Sequence, residues 1–243
     1  MSEPNRSPFA GQVVLVTGGS SGIGAATAMA LAARGARVVV AGRSLERLEA
    51  VAAQAGPLTT AVACDLARWD APGELIAEVV DRFDRLDVVV NAAGVFEKRS
   101  IADTDPDFWR SVVEVNLKAT VQLTRAAWPH LQASAGQVVL ISSIAAVRGF
   151  PENAAYAASK GGLNAFGEVL RVEGRPSGIR VLTICPAQTD TEIWEGKAPD
   201  AVRAAMMRAP GVGELIADLV GTDRSIDFAP LFIEPPVDPW SAS

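Results

Sequence analysis

The sequence predicts a single doubly wound α/β domain with a mainly parallel sheet of seven strands flanked by helices. Three observations carry this. Short apolar runs alternate with alanine-rich helical stretches along nearly the whole chain. The runs are almost continuously apolar, as strands covered on both faces require. No composition shift, low-complexity stretch or repeat divides the 243 residues, a length suited to one domain.

The strand runs are "QVVLVT" (12–17), "ARVVVA" (36–41), "LTTAVA" (58–63), "LDVVV" (86–90), "QVVLIS" (137–142) and "IRVLTI" (179–184). A seventh, "IDFAPLFI" (226–233), contains Pro230, which cannot donate to a ladder and so belongs at a sheet edge. Helices are expected near 22–34, 45–55, 71–83, 106–133, 153–173 and 212–220. The chain then divides into an N-terminal arm (1–10), the α/β domain (11–233) and a tail (234–243). That tail, "EPPVDPWSAS", is expected to be an extended arm and not a helix.

Composition excludes several classes. A net charge of −6 leaves no basic footprint for nucleic acid. Apolar residues make up 49%, enough for one large core, yet no apolar run approaches a membrane span. The opening "MSEPNRSP" lacks the basic-then-apolar pattern of a signal peptide, so a cytoplasmic protein is expected. The two cysteines, Cys64 and Cys185, have no metal-ligand spacing and are expected to pack in the sheet. His130 is the single histidine, which excludes most zinc recipes and any serine–histidine triad built on another histidine; no metal is expected.

The first strand runs through Thr17-Gly18-Gly19-Ser20-Ser21-Gly22-Ile23-Gly24 into a helix. Glycines there allow a tight turn, close approach of a phosphate and close helix–strand packing. The helix N-terminus offers unpaired N–H groups and partial positive charge to a pyrophosphate. At the end of the second strand an acidic residue would bind a ribose diol and repel a 2′-phosphate. This chain has Gly42 and then Arg43, whose forked donors suit that phosphate, so NADP(H) is expected over NAD(H). Asp65, after the third strand, is a candidate acceptor for the adenine amino group or else a helix cap.

The segment "YAASK" (156–160) holds the single tyrosine of the chain. Tyr156 and Lys160 stand one helical turn apart, with Cβ atoms about 5–6 Å from each other. Spacing alone leaves two readings, an ordinary helix turn or a phenol tuned by an ammonium that lowers its pKa by roughly 1–3 units.

TGGSSGIG (17–24), NAAG (91–94), Asn116, Ser143 and YAASK together resemble the short-chain dehydrogenase/reductase family, strongly over residues 10–186. The resemblance implies a Rossmann-type fold and hydride transfer between a nicotinamide and a carbonyl or alcohol carbon. It implies Tyr156 as acid/base and Lys160 as both tuning charge and ligand of the nicotinamide ribose. Ser143, rather than its neighbour Ser142, would polarise the substrate oxygen, and Asn116 would hold a water linking Lys160 to solvent. Leu66, Asn91, Ala92 and Gly94 would join the cofactor-binding set. In "CPAQTDT" the family pattern is altered: Pro186 and Thr191 are kept, while Ala187 and Thr189 stand where glycine and an apolar residue are usual. Pro186, Thr189 and Thr191 would still flank the nicotinamide.

Residues 191–211 are the expected substrate lid. Ile193, Trp194, Met206 and Met207 on it, with Gln188, would face Phe96, Ala145, Val147 and Phe150 across a pocket for a small, mainly apolar carbonyl or alcohol substrate. A homodimer or homotetramer through helices 106–133 and 153–173 is implied. Two alternatives stand beside the carbonyl reductase/alcohol dehydrogenase reading: a 3-oxoacyl-[acyl-carrier-protein] reductase, and a non-catalytic protein that senses NADP(H).

Overall fold

The computed structural model describes residues 9–242, so the expected N-terminal arm lies almost wholly outside the described residues. The elements run β1 (Val13–Thr17), α1 (Gly22–Ala33), β2 (Arg37–Gly42), α2 (Leu45–Ala55), β3 (Thr59–Ala63) and α3 (Ala71–Phe83). There follow β4 (Val88–Asn91), α4 (Pro106–Val113), α5 (Ala119–Ser134), β5 (Gln137–Ile141), α6 (Ala154–Gly174) and β6 (Arg180–Pro186). The chain closes through β7 (Thr189–Asp190), α7 (Asp200–Ala204), β8 (Met207–Arg208), α8 (Ala209–Gly221) and β9 (Leu231–Ile233).

Seven strands form one sheet in the order β3-β2-β1-β4-β5-β6-β9, with every pairing parallel. All residues of β1, β4, β5 and β6 are buried, while the outer strands β3 and β9 are partly open. Continuous apolar runs therefore mark the strands that helices cover on both sides. Within each run the side chains alternate between two cores. Val14, Val16, Val38 and Val40 pack with Leu31 and Ile216 on one face; Val13, Leu15 and Val39 pack with Leu123, Leu131 and Leu163 on the other. Each such fully buried aliphatic side chain is worth about 1.5–3 kcal/mol over leaving it in water. β9 begins just after Pro230 and lies at the sheet edge, as that proline requires.

Strand order reverses between β1 and β4, which opens a crevice at the carboxyl ends of the central strands. α8 covers α1 closely: a Cβ on Gly213 would stand 2.5 Å from the backbone of Ala26.

Four expectations need correction. The single helix at 106–133 is two α-helices joined by a π-helical turn, Glu114–Lys118, whose wider bore turns the Asn116 amide inward. The segment expected to be a lid, 191–211, holds a short helix, α7, and strand β8, which pairs in parallel with β7 just before it; local patterning announced neither. The last helix starts at Ala209 rather than 212 because Pro210 occupies its first turn, where a missing N–H costs nothing. The tail is not wholly extended, since Pro239–Ala242 forms a 3-10 turn for the same reason.

Candidate active site

The crevice widens into one cavity of about 860 Å3 that runs from the glycine loop to the aromatic side chains of the lid. Gly18, Ser20, Ser21, Gly22, Ile23 and Gly24 form its floor at one end. Gly18 has φ +66°, and a Cβ there would meet Ala93 N at 2.7 Å. A Cβ on Gly24 would come within 2.3 Å of Gly18 O. The loop is therefore folded on itself and on the β4 end more tightly than any side chain permits. Thr17 ties the two together, its hydroxyl donating to Val90 O and accepting from Ala93 N–H.

α1 has no acidic residue in its first turn, and Ser21 makes no side-chain cap, so its first N–H groups face the cavity uncapped. Arg43 stands exposed on the cavity wall with no ion-pair or hydrogen-bond partner among the described residues. Its neighbour Arg47 is engaged with Glu192 of the lid at 2.8 Å. Asp65 and Leu66 line the wall beside them, and Asp65 Oδ1 accepts from Ala67 N–H at 3.1 Å, capping its own turn and not a helix. A glycine cradle, an open helix N-terminus and a free guanidinium suit a phosphorylated dinucleotide.

At the other end α6 carries Tyr156 and Lys160 on one face, opposite the ends of β5 and β6. Tyr156 and Ser143 line the same end of the cavity, and the Ser143 oxygen accepts from Ala145 N–H at 3.1 Å. Ser142 points elsewhere and donates to Lys160 O at 3.2 Å, so of the two serines Ser143 meets the phenol. Lys160 is 4% exposed and donates its ammonium to Ile141 O at 2.8 Å, with Nζ 5.6 Å from the Tyr156 ring centre.

The expected lowering of the phenol is corrected by this geometry. Burial raises the Tyr156 pKa above the ordinary phenol value, with Ser143 pulling the other way. Burial also lowers the Lys160 pKa to about 8. The ammonium spends its hydrogen bond on a backbone carbonyl and is itself short of solvation.

Asn116 is fully buried behind the wall. Its Oδ1 accepts from Val95 N–H at 2.8 Å, and its Nδ2 donates to Val95 O at 3.0 Å and to Ser159 Oγ at 3.1 Å. It clamps the segment after β4 to α6. Its Oδ1 and Lys160 Nζ both border the space beside Gly94, at 3.4 and 3.7 Å from where a Cβ would be.

Ala92, Gly94, Pro186, Gln188, Thr189 and Thr191 all line the cavity. Asn91 does not: it is buried beneath the floor, and its amide finds no protein partner. Ala187 needs no left-handed backbone, and its N–H donates to Ile233 O at 2.8 Å, so the missing glycine leaves the β6 end intact. Thr191 caps nothing; its methyl lies over Gly22, 3.0 Å from where a Cβ there would stand.

Phe96, Ala145, Phe150, Ile193 and Trp194 form the apolar wall beside Tyr156. Three expected wall residues do not join them. Val147 is 61% exposed on the outside. Met206 is buried away from the cavity, and Met207 pairs with Thr189 in the β7–β8 ribbon and packs on the α1–α8 core. The chain turns back after α7 and takes both methionines behind the lid. Sequence reasoning in turn missed Lys98, Glu152, Asp238 and Trp240, all of which line the cavity. The Asp-Pro-Trp string of the tail was a readable signal, being a capping residue followed by a first-turn proline.

Fold and site together define a nicotinamide-nucleotide oxidoreductase. The family model "short chain dehydrogenase" matches residues 12–201, and the chain belongs to that family. It is 38% identical over 208 residues to a 3beta-hydroxysteroid dehydrogenase of Mediterraneibacter gnavus, covering 84% of this chain and 75% of the relative. It is 37% identical over 188 residues to an L-fucose dehydrogenase of Bos taurus, covering 77% and 69%. Among solved structures, a metagenomic short-chain oxidoreductase in complex with NADP superposes with a TM-score of 0.83 at 32% identity, covering 95% of this chain and 100% of that one. The protein is an NAD(P)-dependent oxidoreductase acting on CH–OH groups. Among the described residues no helix is long and apolar enough to cross a membrane.

Proposed function

We propose that the protein reduces the carbonyl of a small, mainly apolar substrate with NADPH, or oxidises the matching alcohol with NADP+, and that Tyr156 is the acid/base. The observation that carries this is that Tyr156, Ser143 and Lys160 stand together where the glycine-lined and aromatic-lined ends of one cavity meet. When bound, the nicotinamide supplies or accepts the hydride. Every other role falls to this chain. Tyr156 Oη gives its proton to the substrate oxygen during reduction and takes one back during oxidation. Ser143, held by the Ala145 N–H, donates to the same oxygen and steadies its developing charge.

The raised phenol enters neutral pH protonated, which suits reduction; oxidation needs the phenolate and gains as pH rises. Lys160, one helical turn along α6 from Tyr156, holds the nicotinamide ribose. Asn116 positions Val95 and Ser159 and keeps a polar space beside Lys160 for a water that returns the proton. The two named relatives act on a steroid and on a sugar, so the lining decides between such substrates, and the aromatic wall here supports the apolar one.

NADP(H) is preferred because Arg43 has no other partner among the described residues and β2 ends on Gly42 and Arg43, not on an acidic residue. Titration with NADPH and NADH, followed by tryptophan fluorescence, tests this. Arg43→Ala should weaken NADPH by about 10–100-fold and leave NADH nearly unchanged. Equal losses for both would sink the preference. The protein is further proposed to be cytoplasmic and to form a homodimer or homotetramer through α4, α5 and α6; exposed Val169 and Val172 on α6 support that face. A monomeric mass by light scattering would refute the assembly.

A further inference from the structure

Residues 234–241 follow β9 and bring Asp238 and Trp240 to the cavity. Just beyond β9, Glu234 accepts from both terminal nitrogens of Arg148, at 2.6 and 2.7 Å, a two-pronged tether to the loop after Ser143. Asp238 then closes the 3-10 turn: its Oδ1 accepts from Trp240 N–H at 3.1 Å, and its carbonyl accepts from Ser241 N–H and Oγ at 3.0 and 2.7 Å. Pro239 is buried, and the turn packs on α7 of the lid.

This seating completes a row of aromatic rings. The Tyr156 and Phe96 centres are 5.0 Å apart, Phe96 and Trp194 5.4 Å, and Trp194 and Trp240 6.5 Å. The Lys98 ammonium lies 5.6 Å from the Trp240 ring centre and steadies the ring. The row begins at the acid/base phenol and ends on the tail. Trp240 is 38% exposed, with one part turned to the cavity and one to solvent.

We propose that the tail is the outer wall of the substrate site and that Trp240 selects substrates with a flat fused-ring body reaching from Tyr156 to the tail. Aromatic faces reward a flat ring that stacks or meets them edge-on, and each such contact adds to the area buried. A short acyclic ketone meets Phe96 and Ser143 but never reaches Trp240, so it gains nothing from the far end of the row. The inference rests on Tyr156 marking the reacting end.

The probes are 2-tetralone, a flat bicyclic ketone, and 2-butanone, a short acyclic one. Binding of 2-tetralone to the NADP+ complex is measured by calorimetry, and the ratio of kcat/KM for the two ketones by NADPH consumption. Trp240→Ala should weaken 2-tetralone binding about tenfold and lower the ratio by a similar factor, with Trp240→Phe recovering most of both. Arg148→Glu, which unties the tail, should weaken binding about threefold, and adding Glu234→Arg should restore it.

Trp240→Ala binding 2-tetralone as well as wild type, or losing both ketones equally, would overturn the proposal, as would a wild-type protein that fails to bind 2-tetralone. A wild type that binds 2-tetralone without reducing it would instead sink the oxidoreductase reading of Tyr156. Loss of binding on Trp240→Ala in that protein would still uphold the tail as a wall.

Discussion

The two ends of the cavity are built from different materials. The cofactor end is mostly backbone: a loop at 17–24, the β4 end at 91–94 and a helix N-terminus, drawn together closely enough that a Cβ on Gly18 or Gly24 would collide with main chain. The substrate end is mostly side chain, gathered from segments near 96, 143–156, 188–194 and 238–240. Backbone close approach imposes glycine at fixed spacing, so it leaves a local mark in the sequence. An apolar wall accepts many residues at each point and is fixed only when distant segments meet, so it leaves almost none.

The sharpest way to break that comparison is Gly24→Ala. The added Cβ would fall 2.3 Å from Gly18 O, so the loop must open, and NADPH affinity should drop by about 100-fold or more. Binding within threefold of wild type would show that the cradle tolerates side chains after all. Met206→Ala contrasts with this from the other end. Met206 is 5% exposed and lies off the cavity, so its removal should cost about 2–4 kcal/mol in urea unfolding and leave ketone selectivity where it was. A changed selectivity would return Met206 to the wall.

A smaller effect separates the seam between the ends. Burial lowers the Lys160 pKa from 10.5 to about 8, so between those values the folded protein binds fewer protons than the unfolded chain. Stability attributable to Lys160 therefore rises as pH climbs through that window and is lost again as pH falls toward 8. Urea unfolding at pH 7.5 and 9.5 should show wild type gaining on Lys160→Met by roughly 1–2 kcal/mol. A constant difference would mean that the ammonium is better solvated than its contacts indicate.

Legibility followed the same division. The seven strands were readable because β1, β4, β5 and β6 are covered on both faces, and the edge position of β9 followed from Pro230. Ser143 and Ser142 are adjacent in sequence and chemically identical, yet one meets Tyr156 and the other Lys160 O; only the family spacing, not the residues themselves, distinguished them. The π-helical turn at Asn116 was hidden because an extra residue in a helix turn has no compositional signature. The methionines were misplaced because the lid was read as one apolar surface, whereas the β7–β8 ribbon turns Met207 inward. The phenol's shift was misjudged because spacing gives the distance to Lys160 but not the burial of either group.

The central claim is that Tyr156 handles the proton for a hydride that NADPH supplies. NADPH carrying deuterium on its nicotinamide should be incubated with 2-tetralone and either wild type or Tyr156→Phe, and the alcohol examined by mass spectrometry and NMR. Wild type should place deuterium on the carbinol carbon, and Tyr156→Phe should form product about 100–10,000-fold more slowly at unchanged NADPH affinity. Labelled alcohol formed equally fast by both proteins would contradict the role given to Tyr156.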